Sequence, residues 1–133
     1  MIRTSAFKPA WWLKNPHLQT CWSTLARKNL SVTTRRERLE LPDGDFIDLD
    51  WAGDDGGPIA ILLHGLEGST ESPYARGMIA TLTQRGWRVA MMHFRGCSGA
   101  INRLPRGYHS GETGDLAHVL STLRQRDPET PMV

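Results

Sequence analysis

His64, Gly65 and Gly68 lie in the stretch PIAILLHGLEGS, residues 58–69, where an apolar run gives way to a loop of small residues. Glycines at those positions let a backbone turn tightly and let a ligand approach without a side chain in the way. Such a turn can aim an amide N–H outward at negative charge, so the chemistry on offer is anion binding. Phosphate is one candidate anion; the oxyanion of an acyl-transfer reaction is the other. A phosphate loop of the form G-x-x-x-x-G-K-[ST] needs a lysine, and a dinucleotide loop needs G-x-G-x-x-G. This loop has neither. The oxyanion reading leads, and it asks for a nucleophile.

A serine nucleophile on a strand-to-helix turn sits in G-x-S-x-G, and the chain does not contain that pattern. Gly96-Cys97-Ser98-Gly99 is one residue short, and Ser110 in YHSGE also departs from it. Turns held by hydroxyl and backbone hydrogen bonds account for both. His17, His93, His109 and His118 are scattered without metal-ligand spacing. His118 falls between the apolar positions of a helix and is expected on the solvent side. Asp115 stands at a helix start, where the helix dipole accounts for an acid.

The elements that must position the loop can be read from patterning. Residues 1–34 read as an N-terminal arm broken by Pro9 and Pro16, with a short helix expected only within Thr20 to Leu30. Trp11, Trp12 and Trp22 are expected to pack this arm onto the body rather than to touch lipid. Arg38 to Leu41 and Phe46 to Trp51 flank Pro42-Asp43-Gly44-Asp45, a hairpin signal. Asp48 and Asp50 alternate with Ile47, Leu49 and Trp51, as on a strand with one wet face. Ile59 to Leu63 is a continuous apolar strand of the kind buried on both faces.

After the loop, Ser72 and Pro73 open a helix in which Ala75, Met78, Ile79 and Leu82 recur at helical spacing, and Gly86 ends it. Trp87 to Phe94 is extended again. A long loop leads to a second helix with Leu116, Val119, Leu120 and Leu123 on one face, stopped at Asp127-Pro128. Thr130 to Val133 opens another strand. Strands alternating with helices imply a mostly parallel sheet covered on both faces. In such sheets ligands sit beyond the carboxyl ends of the strands, which is where the 64–69 loop lies.

The stretches NPHLQT, ELPDGDF, HGLEGSTESPYARGM, RGW, HFRGCSG and YHSGET, in that order from Asn15 onward, resemble those of the YheT-like hydrolases, a bacterial branch of the α/β-hydrolase fold. The resemblance implies an α/β chain forming the N-terminal half of that fold: a mostly parallel sheet with an antiparallel hairpin at its start, ending before the nucleophile turn. Residues 35–133 would then be an incomplete hydrolase domain. The backbone N–H of Leu66 would be one oxyanion-hole donor, with His64, Gly65 and Gly68 shaping the loop. The nucleophile would follow a fifth strand beginning near Pro131-Met132-Val133, and the acid and histidine would come later still. None of the triad would be present. The resemblance implies a serine carboxylic-ester hydrolase acting on a small ester, with no cofactor and no metal.

By itself the chain is expected to be inactive. The alternatives are a non-enzymatic truncated product, or a chain complemented by a second polypeptide. The third strand would have an open, apolar edge inviting aggregation or complementation.

Composition sets bounds on these readings. The 133 residues suffice for one domain. A net charge of +2 gives no argument for nucleic acid. Arg27, Lys28, Arg35, Arg36 and Arg38 are interrupted by Glu37 and Glu40 and read as solvated surface. Cys21 and Cys97 are the only cysteines, which fits a reducing compartment. No segment approaches the roughly 20 apolar residues of a membrane span, and no signal peptide is visible. The expected location is the cytoplasm.

Overall fold

Pro42, Asp43 and Gly44 reverse the chain between two antiparallel strands, β1 (Arg35–Glu40) and β2 (Phe46–Ala52). Gly44 takes φ +85°, a conformation open to glycine at little cost. A computed structural model describes residues 5–26 and 30–133. Three more elements follow the hairpin: β3 (Ile59–Leu63), the helix α2 (Pro73–Thr83) and β4 (Arg88–His93). The helix α3 (Gly114–Arg126) comes next.

The strands form one sheet in the order β1-β2-β4-β3, with β2 antiparallel and β3 parallel to β4. Residues 131–133 lie along the other side of β3. Ile59 N–H donates to Pro131 O at 2.9 Å, and Met132 forms a parallel bridge to Ile59. Ile61 N–H donates to Val133 O at 2.8 Å. A fifth strand, parallel to β3, therefore starts at Pro131, where sequence placed its opening. Cover on β3 falls along its length, from 2% exposure at Ile59 to 43% at Leu63.

Helices pack on opposite faces because alternate residues of each strand point to opposite sides. Leu49, Ile59, Ala90 and Met92 meet Val119 and Leu123 of α3. Val89 and Met91 meet Ala75 and Ile79 of α2 on the other face. Truncating Ile79 or Met92, both fully buried, would cost about 2–5 kcal/mol. At the end of α2, Trp87 N–H donates to Leu82 O and Gly86 N–H to Thr83 O, with Gly86 at φ +78°. This paired closure is the reason a glycine stops the helix there.

Four expectations are corrected. The first helix, α1, spans Pro16–Ala26 rather than starting at Thr20. Asn15 Oδ1 accepts the N–H groups of His17 and Leu18, and proline is favoured at a first helical position instead of breaking the helix. Residues 27–29, where the expected helix continued, lie outside the described residues.

The tryptophans of the arm are not buried against the body. Trp11 is 82% exposed, while Trp12 and Trp22 lie edge to face, 4.8 Å apart and both exposed. Nor do Asp48 and Asp50 form a wet face. Both are buried, held by bidentate pairs from Arg38 and Arg36 one strand away.

Asp115 does more than favour a helix dipole: it is buried and grips Arg95 through two bonds of 2.7 Å. On the helices, Met78 and Leu120 are about half exposed and stand at the margins of the apolar stripes.

Candidate active site

The loop at residues 64–69 leaves the carboxyl end of β3, and His64 fixes how it leaves. The ring is buried. Its Nε2 accepts the Phe94 N–H at 3.0 Å, so the ring proton sits on Nδ1, which donates to Gly65 O at 2.7 Å. Burial pushes the His64 pKa down, against the pull of the Gly65 carbonyl. With both nitrogens engaged, His64 ties the ends of β3 and β4 together and has no lone pair to act as a base.

Beyond His64 the backbone makes a tight turn, with Gly68 N–H donating to Gly65 O at 3.0 Å. Neither glycine takes the left-handed conformation. Glu67 does, at φ 51°, and it is the only non-glycine with positive φ among the described residues. A glutamate held there is mildly strained, and strain of this kind clusters at functional turns.

The two glycines serve in different ways. A Cβ on Gly68 would come within 2.9 Å of both His64 Cβ and the Tyr74 hydroxyl, whereas a Cβ on Gly65 would meet nothing within 4 Å. Gly68 is required by packing. Gly65 fronts open space.

Two tyrosines hold the turn from either side. Tyr74, in the first turn of α2, accepts the Gly65 N–H at 3.1 Å. Tyr108, in the long loop after β4, accepts the Glu67 N–H at 2.8 Å and stacks on Phe94 with ring centres 4.9 Å apart. Between these anchored amides, the Leu66 N–H meets no acceptor among the described residues. Leu66 itself is 88% exposed. The result is a fixed turn with one free donor at its tip.

An α/β sheet with a free backbone donor beyond the parallel strand β3 is met by a matching family model, described as alpha/beta hydrolase fold, over residues 58–129. The chain belongs to the α/β-hydrolase fold family. Among curated relatives it resembles "Putative esterase YheT" of Escherichia coli (strain K12), at 44% identity over 132 residues. That alignment covers 96% of this chain and 39% of the relative, so the chain spans well under half the relative's length. The esterase Pf2001 of Pyrococcus furiosus is similar in structure, with a TM-score of 0.61 at 22% identity, over 80% of this chain and 40% of that one. XC6422 of Xanthomonas campestris, a serine hydrolase without a lid, gives a TM-score of 0.61 at 19% identity, over 77% of this chain and 49% of its own.

The chain contains one arrangement that could be mistaken for a triad. His93 Nε2 lies 2.7 Å from Asp50 Oδ2 and 3.1 Å from Thr70 Oγ1, and all three residues are buried. A relay needs acid and nucleophile on opposite ring nitrogens. Here both meet the same nitrogen, the Thr70 hydroxyl donates to Asp50 at 2.6 Å, and Nδ1 has no partner. The cluster braces β2, β4 and the residues after the 64–69 loop. It cannot relay a proton to a nucleophile.

Ser98 and Cys97 occupy a turn flanked by Gly96 and Gly99 at positive φ, and no histidine hydrogen-bonds to either side chain among the described residues. His118, expected on the solvent side, is half-buried, with Nε2 3.1 Å from Glu40 O. His17 and His109 are exposed. Among the described residues no cluster of His, Cys, Asp and Glu is arranged to hold a metal ion.

Sequence reasoning missed the two tyrosines and the ion cluster that carries one of them. Arg95 is buried against Asp115, Asp45 at 3.0 Å and Asp43 at 2.8 Å. Asn102 and the Arg103 N–H also bond Asp45, at 2.9 and 3.0 Å. These bonds pin the hairpin turn, the start of α3 and the 94–113 loop to one another. The Asp pairs were legible in principle: a hairpin register symmetric about Asp43 sets Arg36 opposite Asp50 and Arg38 opposite Asp48.

Proposed function

We propose that this chain supplies the oxyanion-binding part of a serine carboxylic-ester hydrolase, with the Leu66 N–H as one of the two backbone donors. A single observation carries the reading: the Leu66 amide stands free between two amides that are each held by a tyrosine hydroxyl. When a nucleophile attacks an ester carbonyl, the oxygen becomes an anion that needs donors at about 2.7–3.1 Å. A donor fixed before the reaction requires no reorganisation during it, which is why an anchored turn suits the task. Such a donor is worth about 2.7–4 kcal/mol of transition-state stabilisation.

In this reading residues 1–34 form an arm and residues 35–133 the first part of the hydrolase domain. The substrate is a small ester. The serine follows the strand that begins at Pro131, and its successor in sequence supplies the second donor. The acid and the base lie further along, in the order the fold uses. The 133 residues alone then have no nucleophile, and loss of the nucleophile costs about 10⁶ in rate in serine hydrolases.

The test is hydrolysis of short-chain aryl esters by the 133-residue chain beside the same chain extended through a G-x-S-x-G turn and the later triad residues. Turnover only in the extended form is expected. Equal turnover in both would refute the placement of the nucleophile.

A further inference from the structure

The N-terminal arm carries an exposed apolar stripe. On α1, Leu18, Trp22 and Leu25 recur at i, i+4 and i+7, which puts them on one face, and all three are exposed. Gln19, on the same helix, is half-buried. Ahead of the helix, Phe7 is 72% and Trp11 82% exposed. A helix that shields a glutamine and shows leucine and tryptophan has the wrong side out for a surface helix in water.

Charge follows the same division. Before Glu37 the sequence has seven basic residues and no acidic one; after that point nine basic face fourteen acidic. Lys8 and Lys14, which flank the tryptophan pair, are exposed and form no salt bridge among the described residues. The arm is cationic and apolar, and the body beside it is net acidic.

We propose that this arm docks on an anionic membrane surface. Phe7, Trp11, Leu18, Trp22 and Leu25 enter the interfacial layer, and Lys8 and Lys14 meet lipid phosphates. Aromatic residues beside lysines are the composition that settles at headgroup depth. The acidic body is repelled by the same surface, which orients the molecule arm first. No helix of the described residues is long and apolar enough to cross a bilayer, so the contact is with one leaflet. A second copy of the chain fits less well, because a two-fold contact would set one basic arm against another. The proposal does not depend on the ester-hydrolase reading.

Co-sedimentation of the chain with vesicles of phosphatidylcholine, with and without phosphatidylglycerol, tests it. Binding is expected only with the anionic lipid, weakening as salt rises, with a blue shift of tryptophan emission. The double variant K8E/K14E should bind about thirtyfold more weakly or worse, at roughly fivefold per lysine. Trp11→Ser should also weaken binding. Ile101→Ser, which removes an exposed apolar residue, 94% accessible, in the 94–113 loop, should leave it unchanged.

Four outcomes overturn the proposal. The first is equal binding to neutral vesicles. The second is an Ile101→Ser loss as large as that of Trp11→Ser. The third is self-association through the arm without vesicle binding. The fourth is loss of binding when the chain is extended to the length of its relatives, which would assign the stripe to the added residues.

Discussion

The Tyr108 hydroxyl accepts the Glu67 N–H at 2.8 Å, across 41 residues of sequence. Tyr108 thereby anchors one side of the turn while Tyr74 anchors the other, and the two anchors can be cut separately. Tyr108→Phe should cost about 0.5–1.5 kcal/mol, the usual worth of one such bond. Amide exchange of Glu67 should speed up while that of Gly65, held by Tyr74, stays slow. Exchange that quickens equally at both amides would mean the turn is not held from two sides.

Gly65 and Gly68 should respond oppositely to alanine. Gly68→Ala forces a Cβ against His64 and Tyr74 and should lower stability by about 1–3 kcal/mol, the range for overpacking. Gly65→Ala meets open space and should leave the urea midpoint nearly unchanged. In an extended, active form it should raise KM or lower kcat, because the added methyl stands where an ester would approach. A fully active Gly65→Ala enzyme would place the substrate elsewhere.

Arg95→Met leaves Asp43, Asp45 and Asp115 around a site with no counter-charge. Breaking a buried ion cluster in this way costs about 3–5 kcal/mol. Arg106, half exposed and paired with Asp43 and Glu112, should matter far less when changed to alanine, because solvent screens an exposed pair. Urea denaturation of the two variants measures the contrast, and equal losses would contradict it.

Acid should unfold the chain in two stages. Burial pushes the Asp45 pKa up, but bonds from the Arg103 N–H, Asn102 and Arg95 outweigh it and bring the value from 3.8 to about 2. A folded pKa below the unfolded one means stability that is complete above pH ~4 and is lost as pH falls toward 2. Asp50 acts in the same direction: burial raises its pKa, and Arg36, Thr70 and His93 lower it further. His64, depressed by burial, begins to withdraw stability already below its ordinary 6.5. Asp45→Asn should flatten the urea midpoint against pH between about 4 and 2 while leaving the earlier decline in place. A profile unchanged by Asp45→Asn would show that the carboxylate carries no such linkage.

How far the fold could be read depended on the range of the forces that fix each part. Ile59–Leu63 matches its expected bounds because a continuous apolar run and two flanking loops are local signals. The hairpin at Asp43-Gly44 and the strand opening at Pro131 were legible for the same reason. Asp50 was misread because its alternation with Leu49 and Trp51 looks the same whether an arginine or water lies opposite. Tyr108 reaches Glu67 only after a whole strand, helix and loop have been placed, so no local pattern announces it. Pro16 was read as a breaker, although Asn15 before it is a capping residue and proline suits the next position. At the loop itself, sequence pointed to the glycines as the source of the unusual backbone, whereas Glu67 takes the left-handed conformation.

The measurement that bears most directly on the central claim replaces one atom group. In a chain extended through the triad, the peptide N–H of Leu66 is exchanged for an ester oxygen by semisynthesis, leaving the side chain intact. If the Leu66 amide stabilises the oxyanion, kcat falls by about 10²–10³ with KM little changed. A kcat within twofold of the parent would show that the donor lies elsewhere.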